Sequence, residues 1–207
     1  MSKILISGYY GFANAGDEAM LTAIIESLRQ VEKNVELTVL SGNPEDTAAK
    51  HQVCSVYRFN PLGIIRAMKD SELIISGGGS LLQDVTSKRS LLYYLSIIGL
   101  GKFFGKKVML FAQGIGPIRA KWARKLTSLV CNEADLITVR DSESAAELIE
   151  MGVKPEKITV TADSVLSLNP VTKECGQYLL QEAGVDLTKP VIGISVRPWS
   201  GDSQCFQ

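Results

Sequence analysis

Short apolar runs alternate along the chain with longer segments in which apolar residues recur at helical spacing. The first run, Lys3 to Ser7, predicts a buried strand that ends at a glycine. From Asp17 to Val31 the apolar residues fall three and four positions apart, which predicts an amphipathic helix. Further strands are predicted at residues 35–40, 73–75, 108–112, 136–139 and 158–160, and helices at residues 86–104, 120–133 and 142–151. This alternation predicts an α/β fold with a doubly wound, parallel, Rossmann-like sheet.

The alternation then stops. Leu166 to Pro170 has the composition of a connector, and a helix is predicted near Glu174 to Ala183. The apolar run from Val191 to Val196 predicts a new strand, which needs neighbours for its backbone hydrogen bonds. We therefore expect one Rossmann-like domain over residues 1–168, followed over residues 169–207 by the linker helix and first strand of a truncated second domain.

The composition is that of a globular protein. Of 207 residues, 45% are apolar, mean hydropathy is slightly positive, and 22 basic residues balance 22 acidic ones. This composition excludes a disordered chain, and the zero net charge argues against a nucleic-acid-binding protein that relies on a bulk positive field. The longest apolar stretch, Leu91 to Gly101, is about half the length of a membrane span.

The four cysteines are widely separated and form no C-x-x-C pair. We therefore expect no paired metal or redox motif, and a reduced cytoplasmic setting fits the sequence best.

The first candidate site is the loop after the first strand. A glycine-rich turn that leads into a helix N-terminus presents free N–H groups and a positive dipole end, which suit a phosphate or carboxylate. Its glycines lack the G-x-G-x-x-G spacing of a dinucleotide site, and a tight turn with acidic residues at the helix start is the structural alternative. The candidate contacts are Gly8, Tyr9, Gly11, Asn14 and Gly16, with Asp17 as a candidate catalytic residue.

The second candidate site follows the predicted strand at residues 73–75. Three consecutive glycines at the carboxyl end of a strand allow the backbone to approach a ligand closely, although a strand-to-helix turn would need only one. The candidate anion contacts are Gly77, Gly78, Gly79 and Ser80, with Gln83 as a further contact. Asp84 is the candidate general base or hydroxyl-orienting group, because it follows the loop at the same edge.

Two further polar residues follow strands. Gln113 is a candidate ligand contact, or part of a rigid turn before a helix. Arg197 is a candidate anion clamp, because its guanidinium can bind carboxylate or phosphate through two parallel hydrogen bonds. We expect the pair Arg140–Asp141 to be structural and His51 to be a solvent-exposed loop residue.

A basic run surrounds Trp122. Arg119, Lys121, Arg124 and Lys125 precede apolar residues at helical spacing, which is typical of the solvated face of a core-packed helix. The alternative is contact with anionic lipid headgroups or a polyprenyl-phosphate acceptor, to which the aromatic-rich segment from Leu91 to Phe104 would add.

Three segments together resemble the polysaccharide pyruvyl transferase family: Gly8 to Ala19, Ile74 to Asp84 and Ser195 to Trp199. The most similar branch comprises the bacterial cell-surface enzymes that act on the wall polymer of S-layer anchoring. The order and spacing match from residue 4 to about residue 199, and the departure is Ala13, where the family pattern often has glycine.

The resemblance implies a two-domain fold of the GT-B type with ligands between two Rossmann-like halves. It also implies transfer of pyruvate from phosphoenolpyruvate to two hydroxyls of a sugar as a cyclic ketal, with release of phosphate. The implied acceptor is an N-acetylmannosamine-containing, lipid-linked wall-polymer precursor at the inner face of the membrane.

In this chemistry Asp84 or Asp17 would serve as the base, Arg197 would hold the donor, and no cofactor or metal is expected. An arginine–histidine pair that the family places in its second domain has no counterpart here, and His51 does not match it. We therefore expect these 207 residues alone to be inactive.

Two other functions stay open at this point. A glycosyltransferase of similar fold would use a nucleotide-sugar and release a nucleoside diphosphate instead of phosphate. A non-catalytic module would bind a wall-polymer sugar without turnover. A nicotinamide-dependent oxidoreductase ranks last because the glycine spacing is wrong for it.

Overall fold

Strands and helices alternate through most of the chain in a computed structural model, which describes residues 2–85 and 87–194. The strands are β1 (Lys3–Tyr10), β2 (Glu36–Ser41), β3 (Cys54–Tyr57), β4 (Leu73–Ser76), β5 (Gly79–Leu82), β6 (Lys107–Ile115), β7 (Leu136–Val139) and β8 (Ile158–Val160). The helices are α1 (Ala15–Val31), α2 (Pro44–His51), α3 (Pro61–Asp70), α4 (Lys88–Phe103), α5 (Lys121–Glu133), α6 (Ser142–Glu150) and α7 (Lys173–Glu182).

The strands form one parallel sheet. Their order is β3-β2-β1-β4-β6-β7-β8, and β5 pairs with the carboxyl end of β6 beside this path. The chain moves outward in one direction from β1 to β3 and in the other direction from β4 to β8, so the order reverses between β1 and β4. The predicted doubly wound α/β fold is confirmed.

The core lies on both faces of the sheet. Leu5 packs in one apolar cluster, whereas Ile4 and Ile6 pack in the other, because successive side chains of a strand point to opposite faces. The smaller cluster includes Leu21 and Ile24 of α1, and the larger one includes residues of α3 to α6. Both faces of β1 are therefore covered, which explains its uninterrupted apolar run.

The chain divides into two compact units, Met1–Leu168 and Asn169–Gln207. In the described part of the second unit, Thr172 caps the N-terminus of α7, whose residues are all at least partly exposed. The structure corrects the strand predicted at Val191 to Val196, since residues 191–194 adopt no regular structure and no described strand pairs with them. Residues 195 and 196, and the candidate clamp Arg197, lie outside the described residues.

The loop after β1 holds an alanine in a conformation that favours glycine. Ala13 has a φ of 56°, which costs an alanine about 1 kcal/mol. Ala13→Gly removes this strain from the folded state, but glycine also increases the conformational entropy of the unfolded chain. We expect a net rise in the free energy of unfolding of about 0.5 kcal/mol. The matched control is Ala19→Gly inside α1, which should lower it by about 1 kcal/mol. Urea unfolding of both variants checks this, and equal destabilisation by the two would contradict it.

Asp135 joins three elements at the amino edge of the sheet. Its carboxylate accepts hydrogen bonds from the Val108 backbone N–H and from the ammonium groups of Lys102 and Lys107, at 2.8, 2.6 and 3.3 Å. Partial burial raises the pKa of Asp135, but these three donors outweigh it and lower the pKa to about 2. A carboxyl whose pKa is depressed on folding stabilises the protein above its unfolded pKa and loses that effect as the pH falls toward the folded pKa.

We therefore expect Asp135 to contribute about 1 kcal/mol at neutral pH, a contribution that disappears between about pH 4 and pH 2. Asp135→Asn should flatten the fall in stability over that window. Urea unfolding at a series of pH values measures this, and an unchanged pH profile in the variant would contradict the depressed pKa of Asp135.

Candidate functional site

The two glycine-rich loops predicted from the sequence meet at the point where the strand order reverses. One loop follows β1 and the other follows β4, and β1 and β4 are hydrogen-bonded neighbours. The Gly77 N–H donates to the Ser7 carbonyl oxygen at 2.7 Å. This hydrogen bond joins the first residue after β4 to β1. In open α/β sheets the crevice at this position is where ligands bind.

The three glycines after β4 are needed for contacts within the protein. A Cβ at Gly77 would lie 2.1 Å from the Tyr10 hydroxyl oxygen, and a Cβ at Gly78 would lie 3.2 Å from the Met20 sulfur. Gly79 has a φ of 93°, and its Cβ would lie 3.1 Å from Oδ1 of Asp17. The loop therefore packs directly on β1 and α1, and the Asp17 carboxylate lies beside Gly79.

The loop after β1 is held mainly by its own side chains. Asn14 caps α1, because its Oδ1 accepts hydrogen bonds from the N–H groups of Gly16 and Asp17 at 3.1 and 3.3 Å. Gly11 has a φ of 77°, and its N–H donates to Glu18 Oε1 at 2.8 Å. These contacts give Asn14 and Gly11 a part in shaping the loop, whereas their predicted contact with a ligand stays a prediction.

His51 is not the exposed loop residue that the sequence predicts. It ends α2, its side chain is 9% exposed, and its Nε2 lies 3.5 Å from Glu18 Oε2. Because the other Glu18 oxygen binds the Gly11 N–H, the histidine lies behind the glycine loop and helps to fix it. The prediction of an exposed residue was wrong because it relied on the polar sequence around His51. Glu18 and Arg29 of α1 lie against this end of α2.

Gln113 braces the loop after β4 from inside the sheet. Its side chain is fully buried, and its Nε2 donates to Ser76 Oγ at 2.8 Å and to the Gly77 carbonyl oxygen at 3.0 Å. Its Oε1 is buried without a hydrogen-bond partner in the described structure. The hydrogen bonds of Nε2 hold the loop after β4, and Oε1 is an acceptor without a partner in the described structure. The predicted contact of Gln113 with a ligand stays a prediction.

Arg140 reaches the same edge of the sheet, although the sequence favoured a purely structural role for it. Its guanidinium donates to Ser80 Oγ at 3.3 Å and forms ion pairs with Asp141 and Asp163 at 3.2 and 3.6 Å. Gly114 makes room for it, because a Cβ there would lie 2.7 Å from Arg140 Cζ. Arg140 is thus a partly exposed cation beside the loop that contains the three glycines.

A comparison with models of known protein families identifies the family of this chain. Residues 14–196 match the family model described as polysaccharide pyruvyl transferase. The chain belongs to this family. No curated protein sequence matches the chain.

Solved structures of similar fold extend the comparison beyond the pyruvyl transferase family. Anabaena Alr3699/HepE in complex with UDP-glucose is 13% identical with a TM-score of 0.57, over 89% of this chain and 50% of that one. A glycosyltransferase from Rickettsia africae is 12% identical with a TM-score of 0.53, over 91% of this chain and 51% of that one. At these identities the likeness shows a GT-B-type fold alone, and the chain spans about half the length of these structures.

Within this member of the pyruvyl transferase family, Asp84 has a structural part that the sequence did not predict. Its two carboxylate oxygens accept the N–H groups of Arg119 and Ala120 at 2.9 and 2.8 Å. Burial raises the pKa of Asp84, but these two donors and the nearby charges of Lys88 and Arg119 leave the pKa below its ordinary value. A carboxylate held in this way is a weak base, so its predicted catalytic role stays a prediction.

A buried arginine supports the loop after β1, and the sequence analysis missed it. Arg58, which follows β3, is 4% exposed, and its guanidinium carbon lies 4.4–6.0 Å from the centroids of five aromatic rings. Two of the rings, Tyr9 and Phe12, belong to the loop and stack on each other at 4.3 Å. No described carboxylate forms an ion pair with Arg58, so the rings and polar oxygens stabilise its charge.

The remaining candidate contacts lie close to this crevice. Gly8 lies within β1, where a Cβ would lie 2.3 Å from the Tyr10 ring. Gln83 is half-buried between β5 and α4. Their predicted contacts with ligand stay predictions.

Proposed function

We propose that the chain contains the acceptor-binding half of an enzyme that transfers pyruvate from phosphoenolpyruvate to two sugar hydroxyls as a ketal and releases phosphate. The observation that carries the proposal is that two of the three segments on which the family resemblance rests meet in one crevice, at the switch point of the sheet. The family match over residues 14–196 supports the same chemistry.

The charges around the crevice favour a ligand that donates hydrogen bonds. Asp17 lies in the first turn of α1, and Asp141 and Asp163 pair with Arg140 on the other side. Carboxylates accept hydrogen bonds from hydroxyls and repel phosphate. This half therefore suits a sugar acceptor. Arg197 stays the candidate clamp for the acidic donor.

The reaction needs one proton delivered and two removed. Protonation of the methylene carbon of phosphoenolpyruvate makes its C2 electrophilic, and one sugar oxygen bonds to C2 and loses its proton. The second sugar oxygen then bonds to C2 as the C–O bond to phosphate breaks, and its proton goes to the departing phosphate. The two hydroxyl protons thus balance those gained by the methylene carbon and by phosphate. We assign the acceptance of a hydroxyl proton to Asp17, because its carboxylate lies in the crevice beside Gly79.

The acceptor we propose is an N-acetylmannosamine-type sugar of a cell-wall polymer, as in the S-layer-anchoring branch. We propose that it is presented as a lipid-linked precursor and that the reaction takes place at the cytoplasmic side of the membrane. Among the described residues, no helix is both long and apolar enough to cross a bilayer.

Product analysis separates this proposal from the nucleotide-sugar alternative. The Anabaena structure contains UDP-glucose, so UDP-glucose is the nucleotide-sugar to test. The native-length protein that contains this chain is incubated with phosphoenolpyruvate or UDP-glucose, each with and without a lipid-linked N-acetylmannosamine acceptor. We expect phosphate from phosphoenolpyruvate only when the acceptor is present, and no UDP. Release of UDP with no acceptor-dependent phosphate would overturn the proposal.

A variant of Asp84 tests whether this residue is structural or catalytic. Asp84→Asn should lower the free energy of unfolding by about 2 kcal/mol, because one charge-assisted bond to a backbone N–H is lost. Turnover per folded molecule should fall less than about 10-fold, below the usual range for a missing general base. Urea unfolding and the phosphate assay measure the two effects, and a loss of 100-fold or more in a fully folded variant would make Asp84 the base.

A further inference from the structure

The zero net charge conceals an uneven distribution over the helices. The helix α4 carries three basic residues and no acidic one, whereas α3 and α5 each have a single acidic residue, at their last position. In contrast, α1, α2 and α6 have acidic residues in their first turns. One group of helices is therefore basic over most of its length.

The starts of α4 and α5 are held together at the edge of the sheet that contains the crevice. Asp84 precedes α4, and its carboxylate binds the backbone N–H groups of Arg119 and Ala120, directly before α5. The two helices pack against each other, and both begin at the carboxyl edge of the parallel strands. This clamp places the charges of Lys88 and Arg119 near the same carboxylate.

The outer surfaces of these two helices also expose large apolar side chains. Along α4, Leu92, Leu100 and Phe103 are spaced as one helical stripe, and Phe103 is 81% exposed. On α5, Trp122 and Leu129 are 47% and 60% exposed. We call this surface the α4–α5 face, defined by basic Lys88, Arg89, Lys121 and Lys125 and apolar Leu92, Leu100, Trp122 and Leu129.

The basic groups of this face are available to a partner. In the described structure none of Lys88, Arg89, Lys121 and Lys125 forms an ion pair, while Arg124, on the inner side of α5, is paired with Glu147 and Glu150. Arg89, Lys121 and Lys125 therefore lack neutralising carboxylates among the described residues, whereas the charge of Lys88 acts on the Asp84 carboxylate. These basic groups share the surface with exposed leucines and a tryptophan.

We propose that the α4–α5 face binds the surface of an anionic lipid bilayer. Lysine and arginine are attracted to acidic headgroups, leucine enters the acyl boundary, and tryptophan favours the interface between them. The exposed leucines and Phe103 fit the apolar boundary of a bilayer better than they fit the phosphate backbone of a nucleic acid. Membrane contact at this face would hold the crevice edge close to lipid headgroups.

Vesicle binding tests the proposal without any substrate. The probe is sedimentation with vesicles of phosphatidylcholine alone or with one third phosphatidylglycerol, at low and high salt. We expect binding only to the anionic vesicles and a loss of binding at high salt. Equal binding to both vesicles, or to neither, would overturn the proposal, as would preferential binding to RNA in a competition.

Matched charge variants locate the surface. Arg89→Gln/Lys121→Gln/Lys125→Gln should weaken binding on the order of 100-fold, at about fivefold for each charge. The control Lys33→Gln/Lys154→Gln/Lys173→Gln removes the same charge from exposed lysines outside the face and should change binding less than about 3-fold. An equal loss in both variants would show that only net charge matters and would overturn the proposal.

Tryptophan fluorescence tests the orientation independently. In a Trp199→Phe background, Trp122 is the chain's remaining tryptophan. Its emission should shift to shorter wavelength on binding to anionic vesicles, because the ring moves from water into the interface. An unchanged emission from vesicle-bound protein would place Trp122 outside the contact and contradict the proposal.

Discussion

Asp17→Asn is expected to lower the turnover of the native-length enzyme by about 100-fold or more, the usual range for a lost general base. The carboxylate of Asp17 lies beside Gly79 in the crevice, where it can accept a proton from a sugar hydroxyl. An asparagine of the same size keeps the contact and cannot accept the proton at neutral pH. Acceptor-dependent phosphate release from phosphoenolpyruvate measures the effect.

The matched control on the same helix is Glu26→Gln. Glu26 is exposed on the opposite side of α1 from the buried Leu21, Ile24 and Ile25, so its loss should leave turnover within about 2-fold. If Asp17→Asn folds and keeps full turnover, the proton goes elsewhere and Asp84 becomes the leading candidate. A larger effect of Glu26→Gln than of Asp17→Asn would contradict the assigned crevice.

Arg58→Ala is expected to lower the free energy of unfolding by about 3 kcal/mol, because it leaves a cavity among five aromatic rings. It also removes the donors to the Gly8 carbonyl oxygen and the Tyr94 hydroxyl oxygen, at 3.5 and 3.4 Å. Arg58→Met should recover more than half of the loss, because methionine fills most of the volume and buries no charge. Urea unfolding of the two variants measures this.

The comparison of these two variants separates packing from charge at Arg58. If Arg58→Met is as damaging as Arg58→Ala, the cation–aromatic contacts carry the stability and the packing account is wrong. The control is Arg66→Ala at an exposed position of α3, which should change the free energy of unfolding by less than about 0.5 kcal/mol.

The parts of the fold that the sequence predicts are those with a strong burial pattern. Strands β1 and β4 are apolar runs whose residues are mostly buried, and β6 and β7 place alternate residues in the core. Helix α4 is apolar over most of its length, and α5 buries residues four positions apart. The analysis missed α2, β3, α3 and β5. Only Thr47 is buried in α2, and β3 is an edge strand with no buried residue, so neither shows the pattern of a core element.

The candidate site was predicted where it depends on local sequence and missed where it depends on distant contacts. Glycines after a strand mark a loop at the sheet edge, and both predicted loops lie there. Arg58 and Arg140 reach this edge through contacts with residues 50 and 60 positions away, which no short motif records. Asp84 likewise binds backbone groups 35 and 36 positions away, so its clamp could not be inferred from its neighbours.

Carbon-13 NMR of the product tests the central claim most directly. The native-length enzyme is supplied in D₂O with phosphoenolpyruvate labelled at C2 and C3, with unlabelled UDP-glucose and with the lipid-linked N-acetylmannosamine acceptor. The account predicts that the label appears in a ketal carbon bonded to two sugar oxygens, next to a methyl group that carries one deuteron, with one phosphate released per ketal. Labelled phosphoenolpyruvate that stays unchanged while a UDP-sugar is consumed would contradict the account and make the protein a nucleotide-sugar transferase.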